Sequence, residues 1–205
     1  MTEVLSTFGV AFLFSFIGTI PPGTLNLTVI QHGLNDRIGA AWRMAFAAAL
    51  IEYPYAWIAV EFQDFLSQSL EFRHHFHLIS GIVMVALGVM NLWASARRPT
   101  FLQRFEASGF RKGIVLSLLN PLAIPFWMAM TAYLKTYEWI NLSNQYEVHA
   151  YLIGVCTGTL VLLMSVALLA RKVVNYFRSD SILKRIPGTV LILLGFYSFA
   201  EYMFG

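Results

Sequence analysis

Apolar residues in this chain run on continuously for about twenty positions at a time, and polar residues collect between the runs. Six such stretches stand out: Val4 to Ile30, Ile38 to Glu61, Leu78 to Ala96, Gly109 to Leu134, Val148 to Ala170 and Ile186 to Phe204. A helix needs roughly 20 mostly apolar residues to cross the hydrocarbon of a bilayer. It also satisfies its own backbone hydrogen bonds, which that solvent demands. A barrel would show short segments of alternating polarity instead. The pattern therefore predicts an all-α integral membrane protein with six transmembrane helices. Met1 to Glu3 carries no positive residue and the first run continues past any cleavage site, so it reads as a retained helix.

Composition sharpens this picture. Of the 205 residues, 58% are hydrophobic and 12% charged, where soluble domains carry about a quarter charged. Trp42, Trp57, Trp93, Trp139 and Tyr202 fall near the ends of apolar runs, as in an interfacial aromatic belt. Twelve of the fourteen basic residues lie in or beside the first, third and fifth loops, from Arg37 through Arg97, Arg98 and Lys112 to Arg185; Arg73 and Lys135 are the other two. Basic loops stay in the cytoplasm, so both termini are expected outside an inner (plasma) membrane, and the lipid bilayer is the first partner.

The runs also repeat. Gly81, Val83, Leu87 and Gly88 in the third recur as Gly188, Val190, Leu194 and Gly195 in the sixth. The first run is interrupted at Pro21 and Pro22, the fourth at Pro121 and again at Pro125. Three helices per half is an odd number, so the halves enter the membrane from opposite sides. The expected plan is two inverted three-helix repeats, residues 1–98 and 113–205, joined by a basic cytoplasmic linker, 99–112. Transporters built this way bind their solutes near the midplane, where broken helices meet.

Candidate chemistry gathers at those breaks. Proline removes a backbone donor and clashes with the preceding turn, and Gly23 admits unusual backbone angles. Asn26, one turn after Gly23, and Asn120, before Pro121, can each hold a solute or cap an unwound end. Asn91, Ser117, Thr157 and Thr159 read as helix-packing residues. Glu52, midway along the second run, costs about 3 kcal/mol to insert, which suits a proton or cation site. The expected pathway is thus Pro21, Pro22, Gly23, Asn26, Glu52, Asn120, Pro121 and Pro125.

Several functions are excluded. No Gly-rich loop ends in Lys-Ser or Lys-Thr, and neither a nucleophile elbow nor His-Glu-x-x-His appears, so no enzyme and no cofactor is expected. No basic, aromatic-interleaved face calls for nucleic acid. His74, His75 and His77 border an amphipathic second loop, Phe62 to Phe76, and read as a solvated edge rather than a metal site. Cys156 is the single cysteine, which excludes an internal disulfide or dithiol chemistry. Gly154 and Gly158 form a small-xxx-small pair whose partner is either internal or a second copy of the chain in a homodimer.

Taken together, the chain resembles the lysine-exporter (LysE) translocator family. The stretches that carry the resemblance are Ile20-Pro21-Pro22-Gly23-Thr24-Leu25-Asn26 and Phe110-Arg111-Lys112-Gly113 through Leu118-Leu119-Asn120-Pro121. The resemblance implies export of an amino acid or related small metabolite; related branches of the superfamily carry metal cations or reducing equivalents. Thr24 stands where the family's second motif proline would be, and Leu122 where many relatives have a lysine. The alternatives are a metal-cation transporter of that superfamily and a membrane assembly factor that transports nothing.

The charge bias makes a direct prediction. A cysteine placed at Ser108 in a Cys156→Ser background should resist an impermeant thiol reagent in intact cells and react in inverted vesicles. Labelling from outside would reverse the orientation.

Overall fold

The computed structural model describes residues 2–20, 23–68, 78, 81–82, 84–86, 88–89, 92, 109–120, 123–172 and 181–204. Pro21, Pro22, Asn91, Pro121, Leu122, the histidines at 74, 75 and 77, and the loop from Arg97 to Ser108 lie outside the described residues. Every regular element among those described is helical: α1 (Thr2–Gly18), α2 (Thr24–Leu34), α3 (Ile38–Gln68), α4 (Gly109–Leu118), α5 (Ala123–Thr136), α6 (Gln145–Leu168) and α7 (Ser181–Phe204).

The first and fourth apolar runs are each divided into two helices, as their prolines predict. Two other prolines behave differently. Pro125 is the third residue of α5 and causes no second interruption. In the first turn of a helix the missing N–H would have had no partner in any case. Pro54 lies inside α3, which runs on through it. α3 also continues to Gln68, so the first part of the expected second loop is helical. α6 starts at Gln145, earlier than its apolar run, because Asn144 and Glu147 form a capping box. The Asn144 side chain accepts from the Glu147 N–H at 3.0 Å, and the Glu147 carboxylate accepts from the N–H groups of Ser143 and Asn144.

Among the described residues, α6 alone is a single helix long and apolar enough to span a membrane, with a mean hydropathy of 2.1. α4 and α5 meet the same condition as a bent pair, their axes 67° apart. Two of the remaining runs fall short for identifiable reasons. α1 is only 17 residues long, and α3 carries Arg43, Glu52, Glu61 and Asp64. Much of the third run lies outside the described residues.

α3 and α6 pack against each other at the centre, and α1, α2, α4 and α5 pack against one or both of them. One apolar cluster joins α1, α3, α5 and α6 through Ala11, Ala56, Ala59, Trp127, Leu134, Tyr151 and Val155. The other joins α2, α3, α4 and α6 through Val29, Met44, Ala48, Leu116 and Leu163. Alanines fill the α3 side of both clusters, so neighbouring backbones come close. Large apolar side chains such as Leu13, Phe46, Ile58, Ile153, Leu193 and Phe196 point outward instead. Exposed apolar surface on this scale suits lipid rather than water.

Two pairs of glycines set the closest helix crossings. Gly154 and Gly158 on α6 face the Phe8 and Phe12 carbonyls of α1, and Gly109 and Gly113 on α4 face those of Ala40 and Met44 on α3. The partner of the Gly154/Gly158 pair is thus inside the chain. The repeated glycines of the third and sixth runs also meet. A methyl group on Gly88 would lie 2.6 Å from the Gly188 carbonyl oxygen, and one on Gly195 2.9 Å from that of Gly81.

A side chain at Gly158 would overlap the Phe12 backbone. Gly158→Leu should therefore destabilise the detergent-solubilised protein by about 1–3 kcal/mol, the usual range for overpacking. The readout is a lowered midpoint of thermal unfolding; an unchanged midpoint would mean that α1 and α6 do not approach as described.

Candidate functional site

A helix that stops inside an apolar environment leaves its last carbonyls without intrahelical partners. At the first break carbonyls of Ser15 and Thr19 accept from side chains of the same broken segment, and hydroxyls of that segment bond to α6. Asn26, 3% exposed, sits one turn into α2 and donates from Nδ2 to the Thr19 carbonyl at 2.6 Å. This is the end-capping role that its position allowed. Ser15 donates to the Val155 carbonyl at 2.6 Å and lies 3.0 Å from the Thr159 hydroxyl, which is also 3.3 Å from that of Thr19. Ser15 and Thr159 are buried. A hydroxyl cluster therefore fastens the end of α1 to α6. Thr159 is a helix-packing residue as expected, while Ser15 and Thr19 belong with it without having stood out in the sequence. Their four-residue spacing, which puts both on one face of α1, is the signal that could have found them.

Gly23 precedes α2 in an extended conformation (φ −95°, ψ 179°) open to any residue, and a methyl group added there would meet nothing within 4 Å. Its freedom of backbone angle is not used.

The second break is held from α3. Tyr55 donates its hydroxyl to the carbonyls of Leu118 at 3.2 Å and Ser117 at 3.4 Å, the last two residues of α4. The chain then turns through Asn120, whose N–H bonds the Ser117 carbonyl and whose own carbonyl accepts from Ala123 at 3.4 Å. Asn120 is exposed. Ser117 is buried, and its hydroxyl has no partner among the described residues. Pro125 is half-buried, in the first turn of α5.

Glu52 is half-buried on α3. Its Oε2 accepts from the indole Nε1 of Trp127, on α5, at 2.5 Å. Trp127 is itself buried and stands edge-on to Tyr151 of α6, whose hydroxyl is 2.8 Å from that of Thr131. Tyr55 and Cys156 both lie within electrostatic reach of the Glu52 carboxylate. Cys156 is one turn before Thr159 on α6, so this helix connects the surroundings of Glu52 to the first break. The structure thus brings Glu52 to the second break and Asn26 to the first. Trp127, which ties Glu52 to α5, lies 75 residues from it and could not be read from spacing; Tyr55, three residues after Glu52, was hidden in an aromatic run.

A cavity of about 300 Å³ lies between the far half of α3 and the start of α6, lined among others by Trp57, Glu61, Asn144, His149 and Leu152. Trp57 donates to Glu61 at 2.9 Å, and Tyr53 lies 2.8 Å from His149 Nδ1 at its rim. Glu52 is not among the lining residues.

Removing the Asn26 amide would leave the Thr19 carbonyl short of a donor. Asn26→Leu should cost about 1–3 kcal/mol, the penalty of a buried polar group without its partner, read as a lower unfolding midpoint in detergent. Asn26→Leu with the parent's midpoint would show that the cap carries no stability.

The model of the LysE type translocator family matches residues 16–201. No curated protein and no solved structure matches the chain. The match takes in both breaks, Glu52 and its partner Trp127, and the central pair α3 and α6. It covers far more than half of the sequence, so this chain belongs to the LysE type translocator family of membrane transporters.

Proposed function

We propose that the chain is a secondary transporter that exports a small solute, such as an amino acid or related metabolite, by using a proton or ion gradient. In this reading it works by alternating access as six transmembrane helices in two inverted three-helix repeats, 1–98 and 113–205, with 99–112 as the cytoplasmic linker and both termini outside the inner membrane. The observation that carries the proposal is the Glu52 carboxylate. It sits on a central helix, is held by Trp127 just past the second break, and belongs to a family of translocators. A charge at such depth is costly and invites a function in which that charge is periodically cancelled.

The packing supports the inverted plan. The first helix of each half lies on the second helix of the other: α1 on α6, and α4 with α5 on α3. The glycine repeat has the same character. Gly81 approaches Gly195 and Gly88 approaches Gly188, so each end of one motif meets the opposite end of the other. Such reciprocal contact is what a two-fold relation between like segments produces. Rocking one half against the other around a fixed site then follows naturally.

Glu52→Gln keeps the shape and an acceptor for Trp127 but fixes the charge at zero. It should insert normally and lose gradient-driven transport, measured as uptake of labelled amino acids into inverted vesicles with and without an imposed pH or sodium gradient. Solute exchange without a gradient should survive, and Glu52→Asp should transport with an altered pH profile. Parental uptake by Glu52→Gln under both conditions would make Glu52 structural and sink the mechanism.

A further inference from the structure

The two breaks are held differently. At the first, the hydrogen bond across the gap runs within the broken segment, from Asn26 back to Thr19, and Ser15 and Thr19 tie it to α6. At the second, both sides are gripped by one turn of α3. Glu52 and Tyr55 are three residues apart and so share a helix face. Tyr55 holds the final carbonyls of α4, and Glu52 holds α5 through Trp127. Between them lies the joint at which α4 and α5 bend by 67°.

We propose that Trp127 and Tyr55 are positioning residues that transmit the charge state of Glu52 to the second broken helix, making α5 the element that moves during transport. The proposal rests on the transporter reading and adds which helix responds. An indole N–H donating to a carboxylate is a charge-assisted bond and correspondingly strong. A proton or a cationic group arriving on Glu52 removes that assistance, and the N–H of Trp127 is then held only as by a neutral acceptor. Tyr55 retains α4, so α5 changes its relation to α4. The buried Ser117 hydroxyl, without a partner among the described residues, lies in the turn that Tyr55 grips.

The neighbouring groups leave the Glu52 carboxyl as the responder to acidification. Those within its electrostatic reach are Tyr55 on α3 and Cys156 on α6, with Tyr151 of α6 beyond Trp127. All three are uncharged near pH 7 at their ordinary values. Tyr53 and His149 pair with each other at the edge of the cavity. Arg111 and Lys112 on α4, Lys135 on α5 and His32 on α2 are near the ends of their helices, away from Trp127 and the joint.

The test is a distance measurement on the full chain in liposomes. Spin labels are placed in a Cys156→Ser background at Tyr133→Cys on α5 and Ile153→Cys on α6, both exposed positions. The expected result is a distance distribution that shifts as pH falls from about 8 to about 3, a range that brackets the ordinary carboxyl titration. Glu52→Gln should abolish the shift. Trp127→Phe, which keeps a ring but lacks the donor, should show the low-pH distribution at every pH. Tyr55→Phe should move the distribution at high pH as well, and it decides the matter if the Trp127 variant does not fold. If both variants keep the parental distribution and its pH response, the positioning role is wrong. Amino-acid flux through the same liposomes separates the two levels. Flux with a pH-insensitive label pair overturns the role of α5 and leaves the transporter standing. A responsive pair without flux of any amino acid tested supports the coupling and removes the assigned function.

Discussion

The unpaired carbonyls at the ends of α1 and α4 are the constraint around which the described structure is organised. In water such groups would be solvated at little cost. In an apolar interior each one needs a donor from the protein, or several kcal/mol are lost. Asn26 and Tyr55 are those donors. Each can act only if its own helix is held close to the broken end, so the polar requirement dictates the packing as much as it depends on it. The buried hydroxyls of Ser15 and Thr159 meet the same demand, each finding partners in the other helix.

Close packing supplies the rest. Lipid chains are as apolar as leucine, so hydrophobic burial does little to hold membrane helices together; short interhelical distances and hydrogen bonds must do it. Glycine at 109, 113, 154 and 158 lets α4 reach α3 and α1 reach α6 with backbones in contact, and the alanines of α3 continue that surface. The same economy of size explains why the large apolar side chains face outward. A side chain the size of leucine at these crossings would push apart helices that carry the donors for the breaks.

How much of this was legible in the sequence depended on the range of the interaction. The interruption of the first and fourth runs could be read because proline acts within its own turn. Gly154 and Gly158 could be read as a contact surface, though not whose. Pro125 misled because its effect depends on where the helix begins, and α5 begins only two residues before it. The extension of α3 to Gln68 was hidden because Gln63, Asp64 and Gln68 end the apolar run without ending the helix. The start of α6 at Gln145 is encoded in Asn144-x-x-Glu147, a capping signal that hydropathy does not register. Glu52 stood out as a charge in an apolar run; Trp127, 75 residues away, could not. That pairing is a product of the tertiary arrangement, and no local pattern encodes it.

The choice of tryptophan as partner for Glu52 has a physical consequence. An arginine or lysine would pair the carboxylate more strongly, but it would also keep it charged and hold it in place. An indole offers one N–H and no charge, so it orients the carboxylate without fixing its ionisation. Its ring is packed among Tyr151 and Phe126, which gives the donor a firm position at the cost of apolar contacts only. Glu52 is thereby left with one well-placed neutral donor and otherwise few means of stabilising its charge. A carboxylate meant only for structure would gain from a cationic partner; one that exchanges protons or cations is better served by the arrangement seen on α3 and α5.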